Sequence, residues 1–290
     1  MEGFHYQAGE GIHDRLSDTT PSPGVHFLSR CDVSRDVEQE LKQRLRQKKI
    51  LLMTHLVMGY PTLAVNREVI RQMAEAGVDC IELQIPFSEP IADGPVILKA
   101  NQRSLDQGIT VEACFRLGQE MAAAFPQVRF LFMTYYNIVF RYGEAAFLRR
   151  TRDIGLCGVI IPDLPPEEGQ SYLAGSKELG LAAVQFFTPT SSDERMRQVA
   201  AQGSGFLYCV ARRGVTGQQT AFDHSLDQYL ARCRRAANLP LAVGFGISSR
   251  EDVAMLVGKA DMAVIGTATI KLADDRGPSA VGPFIAGLQA

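Results

Sequence analysis

From Leu51 onward, short apolar runs alternate with longer stretches whose apolar residues recur every three to four positions. The runs LLMTHLV (51–57), DCIELQI (79–85), VRFLFMT (128–134), CGVIIPD (157–163), AAVQFF (182–187), GFLYCVA (205–211), LAVGF (241–245) and DMAVIG (261–266) have the length and residue types of strands. REVIRQMAEAG, EAAFLRRTRDIG and SDERMRQVAAQG, lying between them, read as amphipathic helices. Gly77, Gly155, Gly180 and Gly203 stand just before a strand, where helix C-terminal caps belong. Eight strands, each followed by a helix, predict a single-domain (β/α)8 TIM barrel over residues 33–290. An open doubly wound sheet is the alternative, but no GxGxxG follows the first strand and the spacing stays even through eight units. Residues 1–32 have no periodicity and are predicted to be a poorly ordered extension, with His5 and His13 too isolated to suggest a metal site. A short helix is predicted after an N-cap at Ser34. Val37, Leu41 and Leu45 form its apolar stripe, and Lys42, Arg44, Arg46, Lys48 and Lys49 its solvated face.

One segment breaks the apolar pattern. In IELQIPFSEPIADGP (81–95), Ile81, Leu83 and Ile85 fall on one face of a strand and Glu82 and Gln84 on the other. If the first face meets the helices, the second faces the barrel lumen. Pro86, Pro90, Gly94 and Pro95 then end regular structure in a polar loop carrying Ser88, Glu89 and Asp93. A carboxylate within a strand, followed by more on a loop, suits acid–base chemistry on an enclosed substrate. The residues alone leave another reading open, with Glu82 an ion-paired core residue and Asp93 a turn residue.

Barrel chemistry sits on the loops after the strand C-termini, and several of these are rich in glycine. Gly246 follows strand seven, with Ser248 and Glu251 predicted as a capping box for the next helix. Gly266 and Thr267 follow strand eight, and Gly214 and Gly217 follow strand six. Backbone N–H groups and helix N-termini at such turns hold phosphate. On these residues alone the reading stops at a barrel enzyme acting on a phosphorylated substrate, a sugar-phosphate epimerase included.

Composition narrows the setting. A net charge of −2 provides no basic field for nucleic acid or an anionic membrane. No apolar run approaches the ~20 residues of a bilayer span, and the N-terminus has no signal core. The six cysteines are scattered without a CxxC pair, which points to a reducing cytoplasm and against a zinc cage.

ELQIPFSEPIADGP, MTYYNIVFRYG, IIPDLPPEE, RRGVTG, VGFGIS and IGTATIKL together resemble, in order and spacing, the signatures of the tryptophan synthase alpha subunit family, over roughly residues 35–272. The resemblance implies cleavage of indole-3-glycerol phosphate to indole and glyceraldehyde 3-phosphate. It also implies a beta-subunit partner in an alpha2beta2 heterotetramer, where the pyridoxal phosphate resides in the beta subunit and this chain holds no cofactor. The family's catalytic acids match Glu82 and Asp93. Its phosphate ligands match Gly217, Phe245, Gly246 and Gly266, with Thr267 in place of the usual Ser. Tyr208 and Thr216 match a substrate-side aromatic residue and the closing-loop Thr, and Tyr135 falls in the third signature as a further substrate-side residue.

Four positions depart from the family pattern: Gln84 for Gly, Glu89 for Asp, His55 for an aromatic pocket residue and Arg213 for a small residue. Strand parity puts both His55 and Gln84 in the lumen on neighbouring strands. A hydrogen bond between them, direct or through one water and forming one wall of the indole pocket, is therefore expected, the alternative being that each bonds independently to backbone or solvent. The segments Pro86–Pro90 and Tyr136–Tyr142 are expected to dock the partner. A stand-alone indole-releasing lyase and a non-catalytic regulator of the beta subunit are the competing functions.

Overall fold

The computed structural model describes residues 37–211, 224–244 and 246–289. The predicted extension at 1–32 and the N-cap at Ser34 lie outside them. Eight parallel strands close into a barrel in sequence order: β1 (Leu51–Val57), β2 (Cys80–Gln84), β3 (Arg129–Met133), β4 (Gly158–Ile160), β5 (Ala182–Phe187), β6 (Leu207–Val210), β7 (Leu241–Gly244) and β8 (Met262–Ile265). The bounds of β1 and β5 are those predicted. β4 stops early because Pro162, two residues on, has no N–H to continue the ladder.

Strand alternation divides the interior into two cores. Ile81 and Leu83 of β2 face outward with Phe130, Phe132, Val159 and Ala183, and the helices pack over them. Inward-facing Leu51, Met53, Cys80, Leu131, Ile160, Val184, Ala242 and Met262 fill the lumen. The lumen is therefore apolar toward the strand N-termini. On β1 and β2 it turns polar near the C-terminal mouth, where His55 pairs in register with Glu82 and Val57 with Gln84.

The N-terminal end is closed by helix Val37–Arg44, whose Val37 and Leu41 join the lumen core as the apolar stripe predicts. Of the basic face, Lys42, Arg46, Lys48 and Lys49 are exposed as predicted, and Arg44 is half-buried. Arg44 donates to the Gln127 carbonyl at 2.7 Å and to Glu40 at 2.5 Å, and Lys48 pairs with buried Asp79 at 2.7 Å. The contacts to Gln127 and Asp79 bolt the plug to the barrel rim. Gly77, Gly155 and Gly180 take positive φ as capping glycines, but Gly203 is extended (φ −80°) and Gly205 takes the positive value instead (φ +79°). A Cβ on Gly205 would lie 2.6 Å from that of Ala182, so close packing on β5 fixes the glycine there.

The connection from β2 to β3 carries two helices, Pro95–Asp106 and Val111–Ala124, and that from β3 to β4 also carries two, Tyr136–Tyr142 and Glu144–Asp153. The extra helix in each case stands at the catalytic end. Among the described residues no helix is long and apolar enough to cross a membrane, and no group of His, Cys, Asp and Glu is arranged to hold a metal. Cys80, Cys114, Cys157, Cys209 and Cys233 are buried free thiols.

Candidate active site

The register of β1 on β2 sets the centre of the site. His55 stands opposite Glu82, and its Nδ1 lies 2.8 Å from Glu82 Oε1, with both side chains almost wholly buried. One layer nearer the mouth, the fully buried Gln84 donates from Nε2 to Asp93 Oδ2 at 2.6 Å. No direct hydrogen bond links His55 and Gln84 at the distances of the other contacts: each meets a carboxylate instead, and a charged acceptor outcompetes a neutral amide, while Gln84 stays close enough to act on the imidazole. His55 Nε2, Glu82 Oε2 and Gln84 Oε1 are left without hydrogen-bond partners in the buried lumen.

Asp93 is not the exposed loop residue that the surrounding prolines and glycine suggest. It is 7% exposed and accepts from both Gln84 and Asn101, the latter at 3.3 Å. Asn101 lies in helix Pro95–Asp106, where its Oδ1 also accepts from the backbone N–H of Phe87 at 3.2 Å. Asn101 is a site residue that sequence reasoning missed, since an Asn within a helix carries no signal of its own. Phe87, also missed, stacks on Tyr135 with ring centroids 5.1 Å apart, and the Tyr135 hydroxyl accepts from Ala92 N–H at 3.1 Å.

Burial pushes the Asp93 carboxyl above its ordinary value, and the Gln84 donor, His55 and Tyr135 offset this only in part, while Glu82 adds to it. Burial would lower the His55 imidazole, but the hydrogen bond and charge of Glu82, helped by Asp93 and weakly by Gln84, hold it above its ordinary value. The Tyr208 phenol on β6 is raised first by burial and then by the charges of Glu82 and Asp93, so it belongs to the same constellation. Tyr208 packs over Gly244, where a Cβ would come within 3.0 Å of its hydroxyl. It also lies against Phe186, with centroids 5.3 Å apart.

On the other side of β1, β7 and β8 pair through Gly244 and Val264, which brings the turns at Gly246 and Gly266 side by side next to His55. Gly246 is exposed with φ +88°, and Gly266 precedes helix Thr267–Arg276, placing Thr267 in its first turn. The capping box is displaced by one residue from the prediction. Ser249 is the N-cap and Asp252 its partner, while Ser248 also bonds to Asp252 through both N–H and hydroxyl. Burial of Ile247 and Val253 sets the helix phase and so selects the second serine. Thr216, Gly217 and Phe245, and the departure at Arg213, lie outside the described residues. Glu89 is exposed on the rim, away from the lumen.

The family profile described as Tryptophan synthase alpha chain matches residues 41–280. The tryptophan synthase alpha chain of Desulfotalea psychrophila is 57% identical over 253 residues, covering 87% of this chain and 99% of that relative. Among solved structures, Mycobacterium tuberculosis tryptophan synthase superposes with a TM-score of 0.80 at 30% identity, over 87% of this chain and 97% of that one. The tryptophan synthase complex from Pyrococcus furiosus gives 0.75 at 28% identity, over 82% and 97%. A match that runs through all eight strands, at more than half identity to a full-length relative, leaves one placement: the chain belongs to the tryptophan synthase alpha chain family.

Proposed function

We propose that this chain cleaves indole-3-glycerol phosphate to indole and glyceraldehyde 3-phosphate, with Glu82 moving the proton and Asp93 holding the ring. The observation that carries this reading is Glu82 itself. It is the one acidic residue within the eight strands, it is buried at the catalytic mouth, and its Oε2 is left without a partner.

In its acid form Glu82 gives a proton to indole C3, and the ring becomes positive. The bond from C3 to the glycerol chain then breaks, and its electron pair restores the aromatic ring. The hydroxyl on the departing carbon becomes the aldehyde, and its proton returns to Glu82, which ends as it began. Asp93, ionised, accepts the ring N–H and stabilises the positive charge in a site shielded from water. Phosphate sits between the turns at Gly246 and Gly266, with Thr267, Gly217 and Phe245. Tyr135 and Tyr208 line the ring, and Thr216 is the further substrate residue that the family signature implies.

The chain acts in the cytoplasm with a beta-type subunit, which carries the pyridoxal phosphate of the complex. Exposed Ile91, on the loop after β2, and Phe140, on helix Tyr136–Tyr142, are 74% and 67% accessible and are the apolar surface that partner covers. Indole release from indole-3-glycerol phosphate by the full chain, with and without a beta subunit, tests the reading. Glu82→Gln is expected to lose about 10²–10⁴-fold in turnover while still binding substrate. Normal turnover in that variant would sink the assignment. Equal turnover with and without partner would favour a stand-alone lyase, and none in either case a regulator.

A further inference from the structure

We propose that His55 is a positioning residue of this cleavage, its Nδ1–H holding Oε1 of Glu82 so that Oε2 alone meets the substrate. The proposal rests on the reading that Glu82 moves the proton.

The pair is set by adjacent parallel strands, His55 opposite Glu82, with 2.8 Å between Nδ1 and Oε1. A purely structural ion pair in a closed lumen satisfies the remaining atoms of both partners, because unpaired buried polar groups are costly. Here one atom of each stays unpartnered, His55 Nε2 and Glu82 Oε2. The contact thus fixes the rotamer of the carboxyl and consumes one of its two oxygens. The other remains for chemistry.

The surroundings keep the imidazole a donor. The titratable groups acting on it are Glu82 from β2 and Asp93 from the following loop. Tyr208, from β6, acts on those same two carboxyls. On the β8 side the residue meets Gly266, whose added Cβ would stand 3.7 Å from that of His55, and Thr269, whose hydroxyl reaches the His55 carbonyl; neither titrates. As Oε2 gives its proton to C3, Nδ1–H stabilises the carboxylate that forms. When Oε2 takes the hydroxyl proton, that support relaxes. No proton is lost or gained by His55 in the cycle.

Three variants of the full chain separate this role from simple packing. His55→Phe keeps the volume and removes the donor, His55→Asn places an amide N–H near the Nδ1 position, and His55→Gln places one near Nε2. Loss of a hydrogen bond to a charged group corresponds to a fall in kcat of about 10–100-fold. The expected result is a fall of that size in His55→Phe and His55→Gln with KM within about twofold, and recovery to within a fewfold in His55→Asn. Unchanged kcat in His55→Phe, or an Asn variant as impaired as Phe, would overturn the proposal. If His55→Phe does not fold by circular dichroism, the comparison of Asn with Gln decides alone. Glu82→Gln is run alongside: full activity there defeats the assignment of Glu82, whereas an inactive Glu82→Gln beside a normal His55→Phe defeats only the role of His55.

Discussion

Replacing Gln84 with leucine removes the donor that reaches Asp93 at 2.6 Å while roughly keeping the side-chain shape. Two effects follow, and only one is informative. A hydrogen bond to a charged group contributes about 1.5–3 kcal/mol, but Gln84 Oε1 is buried without a partner, and removing such an atom recovers about 1–3 kcal/mol. The two nearly cancel in stability at neutral pH, so melting temperature is a poor readout. The ionisation of Asp93 feels only the donor. At 1.36 kcal/mol per pKa unit, the lost bond raises an already elevated Asp93 by about 1–2 units. The acid limb of kcat/KM, which reports the free enzyme, is expected to move to higher pH by that amount. Asn101→Leu should move it less, since that donor stands at 3.3 Å and Asn101 divides its bonds among three partners. The same sign governs stability. A carboxyl whose folded pKa exceeds its unfolded value holds more protons in the fold, so its contribution falls as pH rises from about 4 through the folded pKa. The gap between Gln84→Leu and wild type should accordingly be more unfavourable at pH 7 than at pH 4. An acid limb that stayed in place, or moved down, would show that Gln84 does not hold the ionised form of Asp93.

Two further outcomes are expected. Gly246→Leu forces a side chain onto φ +88° and should raise KM for the phosphorylated substrate at least about tenfold, leaving the far strands intact by circular dichroism; an unchanged KM would remove the phosphate from that turn. Phe140→Asp combined with Ile91→Asp places charge on the two most exposed large apolar residues among the described ones, and should weaken beta-subunit binding in a titration without altering turnover of the lone chain. Unaltered affinity would move the docking surface elsewhere.

The barrel was legible because each strand needs an outward apolar face and the chain repeats that need eight times. Parity gave the lumen-facing direction of His55, Glu82 and Gln84 correctly. It could not give their pairing, because parity is blind to how far one strand slides along the next. Only the observed offset, Met53 beside Cys80, sets His55 against Glu82 and leaves Gln84 for Asp93. The burial of Asp93 was hidden for a related reason. Pro90, Gly94 and Pro95 advertise a loop, whereas the residue that draws Asp93 inward, Asn101, sits eight positions on in a helix with no unusual composition. Local signals read local structure well; a site assembled by a helix folding back over its own loop leaves little trace in the pattern.

That helix, Pro95–Asp106, acts as a lever. Its buried Asn101 grips Asp93 and the Phe87 amide, and one turn later Ser104 grips the carbonyl of Met58 at 2.6 Å in the loop after β1. One turn earlier, Leu98 is half exposed to solvent. A hydrogen-bonded helix of three turns moves as a rod, so a displacement imposed at Leu98 arrives undiminished at Asn101 and Ser104. Loops from two neighbouring strands hang from the same rod. Contact at the surface and the placement of Asp93 within the barrel are thereby one mechanical variable.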